Sequence, residues 1–226
     1  MKKAALELSY FLALVPAIFP DSVYYLGLNL GLGWTLNYLL IWILILILSA
    51  HAALLCYKTL KGRAKYWTSV LALLIPLASF FAAKPVYEGD FNKFGAEVDY
   101  GQDNIILNDI LNFKSDYDGI VCVASPTCPF CIEAVRDKIR FLHKRNKIDV
   151  AIYMPADDGS NFEQFRTSTQ AFDVPIIANS RPDIGFDIQE NVIPVFLYIQ
   201  DGIVRHVWRN EQLGYPALDW IEKALK

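Results

Sequence analysis

Cys128-Pro129-Phe130-Cys131, with its lead-in Gly119-Ile120-Val121-Cys122-Val123-Ala124-Ser125-Pro126-Thr127, decides how this chain is read. Ile120 to Ala124 is a short apolar run rich in β-branched residues, the composition of a strand. Ser125-Pro126-Thr127 breaks the run. Beyond the two cysteines, Ile132, Val135, Ile139 and Leu142 recur at helical spacing, with Glu133, Arg136, Asp137, Lys138 and Arg140 between them. The pattern predicts a strand, a tight turn and a helix whose first turn carries both thiols.

That placement has chemical consequences. A thiol at a helix N-terminus faces unpaired backbone N–H groups and the positive end of the macrodipole. Both favour the thiolate, the nucleophile of disulfide exchange. Cys128, at the exposed first position, is assigned as the attacking sulfur, and Cys131, one turn deeper, as the sulfur that resolves the mixed disulfide. Pro129 suits the first helical position, where a missing N–H costs nothing. A bare C-x-x-C also occurs in zinc sites, which normally draw four ligands from two clusters. The other candidates here are Cys122, Cys56, His51, His143 and His206, and no two of them form a second cluster in the sequence. A redox pair, a structural metal site and an unused pair are the three readings, with redox favoured and neither metal nor cofactor expected.

Residues 119–225 resemble a thioredoxin-fold domain. The strand-turn-helix with C-P-F-C is the first marker; the second is Asn191-Val192-Ile193-Pro194-Val195-Phe196-Leu197-Tyr198-Ile199, followed by Gln200-Asp201-Gly202-Ile203-Val204. In that superfamily a cis-proline facing the C-x-x-C opens such a strand, and a Gly-containing turn leads to the next antiparallel strand. The resemblance therefore implies that Pro194 follows a cis bond and that its backbone pairs with a bound substrate chain. It also implies an α/β domain with a central mixed sheet flanked by helices. Two positions depart from the pattern. Thioredoxins carry a buried Asp six residues before the first active-site cysteine, where this chain has Cys122. Membrane-anchored TlpA-like thioredoxins often carry a Glu three residues after the second cysteine, where this chain has Ala134. Cys122 is accordingly a candidate for tuning Cys131, against the plainer reading of a buried inert thiol. C-P-x-C also resembles glutaredoxins and oxidising relatives, so the direction of electron flow stays open.

The rest of the chain divides by composition. Of its 226 residues 54 % are hydrophobic, and residues 1–83 hold most of the excess. Residues 84–226 contain 15 of the 21 basic and 22 of the 24 acidic residues, a net charge of −7. An acidic domain without a basic patch argues against nucleic-acid binding, and four cysteines are too few for a disulfide-framed scaffold. The expected organisation is a transmembrane helical region over 1–83, a linker and N-terminal extension over 84–118, and a thioredoxin-like domain over 119–226.

Leu36 to Tyr57 is an uncharged run of 22 residues, matching the ~20 that span a bilayer as a helix. Tyr66 to Ala83 is a second, with Tyr66 and Trp67 as interfacial anchors and Pro76 predicting a kink. Ala4 to Pro20 is a third; its end lacks a small-x-small cleavage site, which favours an uncleaved span. Asp21 to Gly33, with Gly27, Gly31 and Gly33, reads as interfacial or partly re-entrant. Lys58, Lys61, Arg63 and Lys65 place the loop between the second and third spans in the cytoplasm. About three spans then put the N-terminus in the cytoplasm and the C-x-x-C domain on the periplasmic side of a bacterial inner membrane, where disulfide chemistry is actively managed. His51 is read as packed against a neighbouring helix and Cys56 as a small apolar residue.

Within the extension, Glu88-Gly89-Asp90 and Tyr100-Gly101-Gln102-Asp103 are turn signals, and Asp103-Asn104 is a candidate cap for a helix through Ile105, Ile106, Ile110 and Leu111. Asp149 to Met154 and Arg205 to Trp208 are expected strands, and Asn161 to Phe172 and Tyr215 to Leu225 expected helices. Val174 to Ala178 resembles the strand inserted in TlpA-like proteins. Phe162, Phe165 and Phe172 are expected in the core, Trp208 and Trp220 as packing residues, and His143 and His206 as structural or exposed.

Two functions follow. One is a membrane-anchored thiol-disulfide oxidoreductase whose partners are protein thiols and disulfides of exported or membrane proteins and a separate membrane electron donor or acceptor. The other is a thioredoxin-fold accessory subunit that docks to other membrane subunits through its helices, with the cysteine pair structural or vestigial. Neither involves nucleic acid.

Overall fold

A computed structural model describes residues 2–83, 100–154, 160–179, 193–209 and 212–225. The chain separates into two units, Met1–Val86 and Tyr87–Lys226.

In the first unit, helix α3 (Trp34–Thr59) has no polar face to turn toward water. At ~1.5 Å per residue it measures about 39 Å, enough for a hydrocarbon core of about 30 Å. One stripe of it, Trp34, Ile41, Ile45, Ala52 and Cys56, is buried, whereas Leu39, Ile43, Leu46, Ile47 and Leu54 point outward. Helices α1 (Lys2–Ile18) and α4 (Ala64–Ala83) pack against that stripe and against each other. Trp42 meets Phe80 and Phe81 with ring centroids 4.5 Å apart at one end of the α3–α4 pair. At the other end Tyr57 and Tyr66 lie 5.8 Å apart, with the Lys65 ammonium over both rings. Pro76 lies within α4.

The segment read as interfacial or re-entrant is itself helical. Helix α2 (Pro20–Asn29) follows α1 with an 83° bend between them. Pro20 takes the first helical position, and Gly27 leaves room for Asn37 of α3, whose Nδ2 donates to Tyr24 O at 2.6 Å. Among the described residues two helices are long and apolar enough to cross a membrane, or three if the bent pair is one span.

The second unit is built on a five-stranded mixed sheet. Its strands are β1 (Gly119–Val123), β2 (Val150–Met154), β3 (Ile176–Ala178), β4 (Val195–Gln200) and β5 (Ile203–Arg209), in the order β3-β2-β1-β4-β5. β1, β2 and β3 run parallel; β4 is antiparallel to β1 and β5 to β4. β1 and β2 are buried along their whole length, which is why both read as continuous apolar runs. Asp201 (φ 53°) and Gly202 (φ 66°) make the tight turn between β4 and β5.

The helix after β1 has three parts: α6 (Pro129–Ala134), a π-helical turn (Val135–Ile139) and α7 (Arg140–Asn146). The steps β1 to β2 and β2 to β3 move the same way along the sheet, so right-handed crossovers place their helices on one face. Helix α8 (Ser160–Thr169) indeed packs on α6 and the π turn, and α9 (Tyr215–Ala224) on α7. Helix α5 (Tyr100–Phe113) covers the other face, where Ile106 and Ile110 join Val121, Val123, Ala151, Leu197 and Val207 in one core. Tyr100 to Asp103 is thus helical rather than a turn, and Asp103-Asn104 lies inside α5 rather than capping it. The turn expected at Glu88-Gly89-Asp90 lies outside the described residues.

Two further expectations are corrected. Phe165 is buried and Phe162 half-buried, but Phe172 is 64 % exposed. α8 ends at Thr169, and Gln170 in the left-handed region (φ 56°) turns the chain off the buried face. His51 is exposed rather than packed inward, because the inward stripe of α3 runs through Ser49, Ala52 and Cys56.

Candidate functional site

The site begins where β1 stops. Ala124 N–H still donates to Tyr153 O at 3.0 Å, and then Ser125-Pro126-Thr127 turns the chain, with Cys128 N–H donating to Ser125 O at 3.2 Å. Cys128 is the N-cap of α6 in extended backbone (φ −80°, ψ 117°), and Pro129 is the first helical residue. Cys128 Sγ accepts the Cys131 N–H at 3.3 Å, the position in which a capping side chain occupies an otherwise open donor. Ile132 N–H donates to Cys128 O at 3.1 Å and starts the helix.

The two thiols differ in access. Cys128 is partly exposed, and its neighbours Thr127, Pro129 and Phe130 are exposed, Phe130 by 58 %. Cys131 is 0 % exposed. Burial pushes the Cys131 thiol well above the usual range; its hydrogen bond with Cys128 adds to this, and the Ser125 backbone opposes it. All four cysteines carry free thiols.

Cys122 is also 0 % exposed. Side chains alternate along a strand, and Val121 and Val123 belong to the core under α5. Cys122 therefore faces the other side of the sheet, the side of α6 and α7. Burial raises its thiol strongly, and the charge of Cys128 raises it further, while Cys122 in turn acts on Cys131. The three cysteines of this unit thus form one neighbourhood.

Pro194 is buried and follows a cis Ile193–Pro194 bond. The register Val123↔Val195 sets it beside Ala124, at the end of the sheet from which the Cys128 turn departs. Asn191 and Val192, the start of that sequence marker, lie outside the described residues.

The remaining candidates are elsewhere. Cys56 packs with Ala52 and Ala72 in the helical unit. His143 Nδ1 lies 3.0 Å from Ile148 O and its Nε2 3.9 Å from Asp173. His206 packs among Tyr198, Trp208 and Trp220, edge-to-face with Trp220 at a centroid distance of 4.8 Å. Among the described residues no group of three or more His, Cys, Asp or Glu side chains is placed to hold a metal ion.

Sequence reasoning missed one buried polar cluster. Tyr153 Oη lies 2.6 Å from Asp109 Oδ2 and 2.9 Å from Asn179 Oδ1, one phenolic hydrogen serving the two oxygens. It ties α5 to β2 and to the end of β3, on the face away from Cys122. An Asp on a helix and a Tyr on a strand at distant positions carry no spacing signal. No family model, curated protein or solved structure matches the chain.

Proposed function

We propose that this chain is a membrane-anchored thiol-disulfide exchange protein whose second unit is a thioredoxin-like domain. The observation that carries this reading is the unequal pair at the head of one helix: accessible Cys128, its sulfur on the Cys131 N–H, and Cys131 sealed behind it. The sheet order, the parallel β1–β2 unit joined by the cysteine-bearing helix, and Pro194 at the head of β4 support the thioredoxin-like assignment.

In the exchange, the Cys128 thiolate attacks one sulfur of a client disulfide. A Cys128–client bond forms, the client S–S bond breaks, and the second client sulfur leaves as a thiolate. Cys131 then attacks Cys128 Sγ; the Cys128–Cys131 disulfide forms and the client leaves as a dithiol, having gained two electrons. The same steps reversed oxidise a client. Exposed Phe130 and Pro129 give the client chain an apolar surface beside the nucleophile. The basic loop between α3 and α4 supports a cytoplasmic loop, hence a periplasmic exchange domain on a bacterial inner membrane.

A second reading is favoured by the first unit, which has its own packed core of Trp34, Ile45 and Phe80 and more helices than a tether needs. Under it the helices dock to other membrane subunits. One experiment separates the two. A Cys131→Ser variant should accumulate client proteins as mixed disulfides on Cys128, released by reductant, and Cys128→Ser should not. If Cys131→Ser traps nothing and the wild-type pair does not cycle, the exchange reading fails and the subunit reading stands.

A further inference from the structure

Folding gathers a basic cleft that is invisible in the charge balance of this acidic unit. α7, the end of α8 and the turn after it enclose about 810 Å³. Arg140 and Lys144 stand on the α7 wall. Arg140 is fixed in place: its Nη1 donates to Gln170 Oε1 at 2.6 Å, and its guanidinium lies 4.9 Å from the Phe141 ring centroid. Lys144 is exposed and makes no ion pair among the described residues. Thr167 and the exposed ring of Phe172 also line the cleft, as does Asp173, whose carboxylate lies 3.9 Å from His143 Nε2.

We propose that this cleft is a docking site for an acidic, extended peptide segment carrying an apolar or aromatic side chain. The lining offers three chemistries at once. Arg140 and Lys144 take carboxylates, Asp173 and the Thr167 hydroxyl oxygen take backbone N–H groups, and Phe172 takes an apolar side chain. A bare anion or phosphate headgroup would use only the cations and would leave the Phe172 ring and the Thr167 and Asp173 oxygens without partners. A purely apolar partner would desolvate Arg140 and Lys144 without pairing them. An acidic peptide answers all three. Its purpose rests on the exchange activity proposed above: Arg140 lies about 18 Å from Cys128 along the same helix, at ~1.5 Å per residue. An extended chain covers that distance in roughly five or six residues at ~3.3 Å each. A client held in the cleft would therefore present a nearby disulfide to Cys128.

The test uses the full chain in detergent micelles and a fluorescein-labelled, end-capped Glu-Glu-Phe-Glu-Glu peptide, followed by anisotropy. We expect saturable binding that weakens with salt, more than tenfold loss in an Arg140→Glu/Lys144→Glu variant, and at least threefold loss in Phe172→Ser. A Lys-Lys-Phe-Lys-Lys peptide should not bind. Because Lys144 and Phe172 are exposed, Lys144→Gln and Phe172→Ser keep the test valid if the charge reversal misfolds. Unsaturable binding, equal affinity in these variants, or binding only to vesicles of anionic lipid would overturn the proposal. So would loss of binding in Cys128→Ser/Cys131→Ser, which would move the peptide to the thiols. Intact binding beside a Cys131→Ser variant that traps no client would instead refute the exchange reading alone.

Discussion

Tyr153→Phe removes one hydrogen-bonding atom from the interior and almost no volume, so its effect isolates the Asp109–Tyr153–Asn179 cluster. The phenol donates to a carboxylate at 2.6 Å, and a hydrogen bond to a charged group contributes about 1.5–3 kcal/mol. A loss of about 2 kcal/mol raises the unfolded population roughly 30-fold. Cys122 supplies a probe confined to this unit: it is fully buried on β1, and β1 lies at the centre of the sheet. Its alkylation under native conditions, read by mass spectrometry peptide by peptide, reports opening of the sheet and ignores the helical unit. We expect about 30-fold faster alkylation of Cys122 in Tyr153→Phe. An Asp109→Leu/Tyr153→Phe double variant should lose less than the sum of the single losses, because the carboxylate that required the donor is gone. Alkylation within twofold of the parent in Tyr153→Phe would show that the cluster does not hold α5 to the sheet.

Four further outcomes follow from the titratable groups. Because burial raises the Cys131 thiol, it stays protonated across the neutral range, and the resolving step should change by less than about threefold from pH 6 to 8 in stopped-flow single-turnover exchange; a rise of about tenfold per pH unit would show that the thiolate forms before attack. Folding favours the protonated thiols of Cys122 and Cys131, so their contribution to stability is complete below the unfolded-state value of about 8.5 and declines above it. Cys122→Ala should shift the potential of the Cys128–Cys131 pair by about 10–30 mV, and an unchanged potential with an unchanged resolving rate would make Cys122 a space-filler. Burial lowers the pKa of His206, so the folded state binds fewer protons than the unfolded state and stability falls as pH drops below about 6.5. His206→Phe should flatten that limb of a pH–stability curve, and an unaltered limb would place the titration elsewhere.

The strand, turn and helix around the cysteines were legible because each is set locally: β-branched run, Pro-bearing break, apolar period. The Asp201-Gly202 turn was legible for the same reason, whereas the cis bond before Pro194 was expected only from the family resemblance. The apolar spans of α3 and α4 followed from composition alone. What escaped depends on tertiary placement. α2 is held to α3 by Asn37 reaching Tyr24 O past Gly27, a contact between helices that no window of sequence contains. Phe172 read as core because its spacing matched Phe162 and Phe165, yet one left-handed residue at Gln170 took it off that face. Arg140 read as one of the charged residues between the apolar positions of its helix; its meeting with Gln170 and Phe172 needed the packing of α8 on that helix.

The lack of an acid beside Cys131 among the described residues bears on how the exchange proposed here moves its proton. Cys122 is a buried thiol on β1, Glu133 is exposed, and Asp109 lies behind the sheet. Among the described residues, the groups that act on Cys131 are Cys128, Cys122 and the Ser125 backbone, with no carboxylate among them. A buried thiol without a basic neighbour gives up its proton only when a stronger acceptor arrives. In the mixed disulfide that acceptor is the client sulfur, which becomes a thiolate as Cys131 attacks Cys128. Proton transfer to the departing sulfur balances the step without a residue dedicated to it. Resolution is then slow for clients whose thiolates are weak bases and fast for those whose thiolates are strong ones, the reverse of leaving-group behaviour at a site with its own acid. Single-turnover resolution of mixed disulfides with thiols of graded pKa would reveal the sign, and a rate that rises as the leaving thiol's pKa falls would refute the transfer.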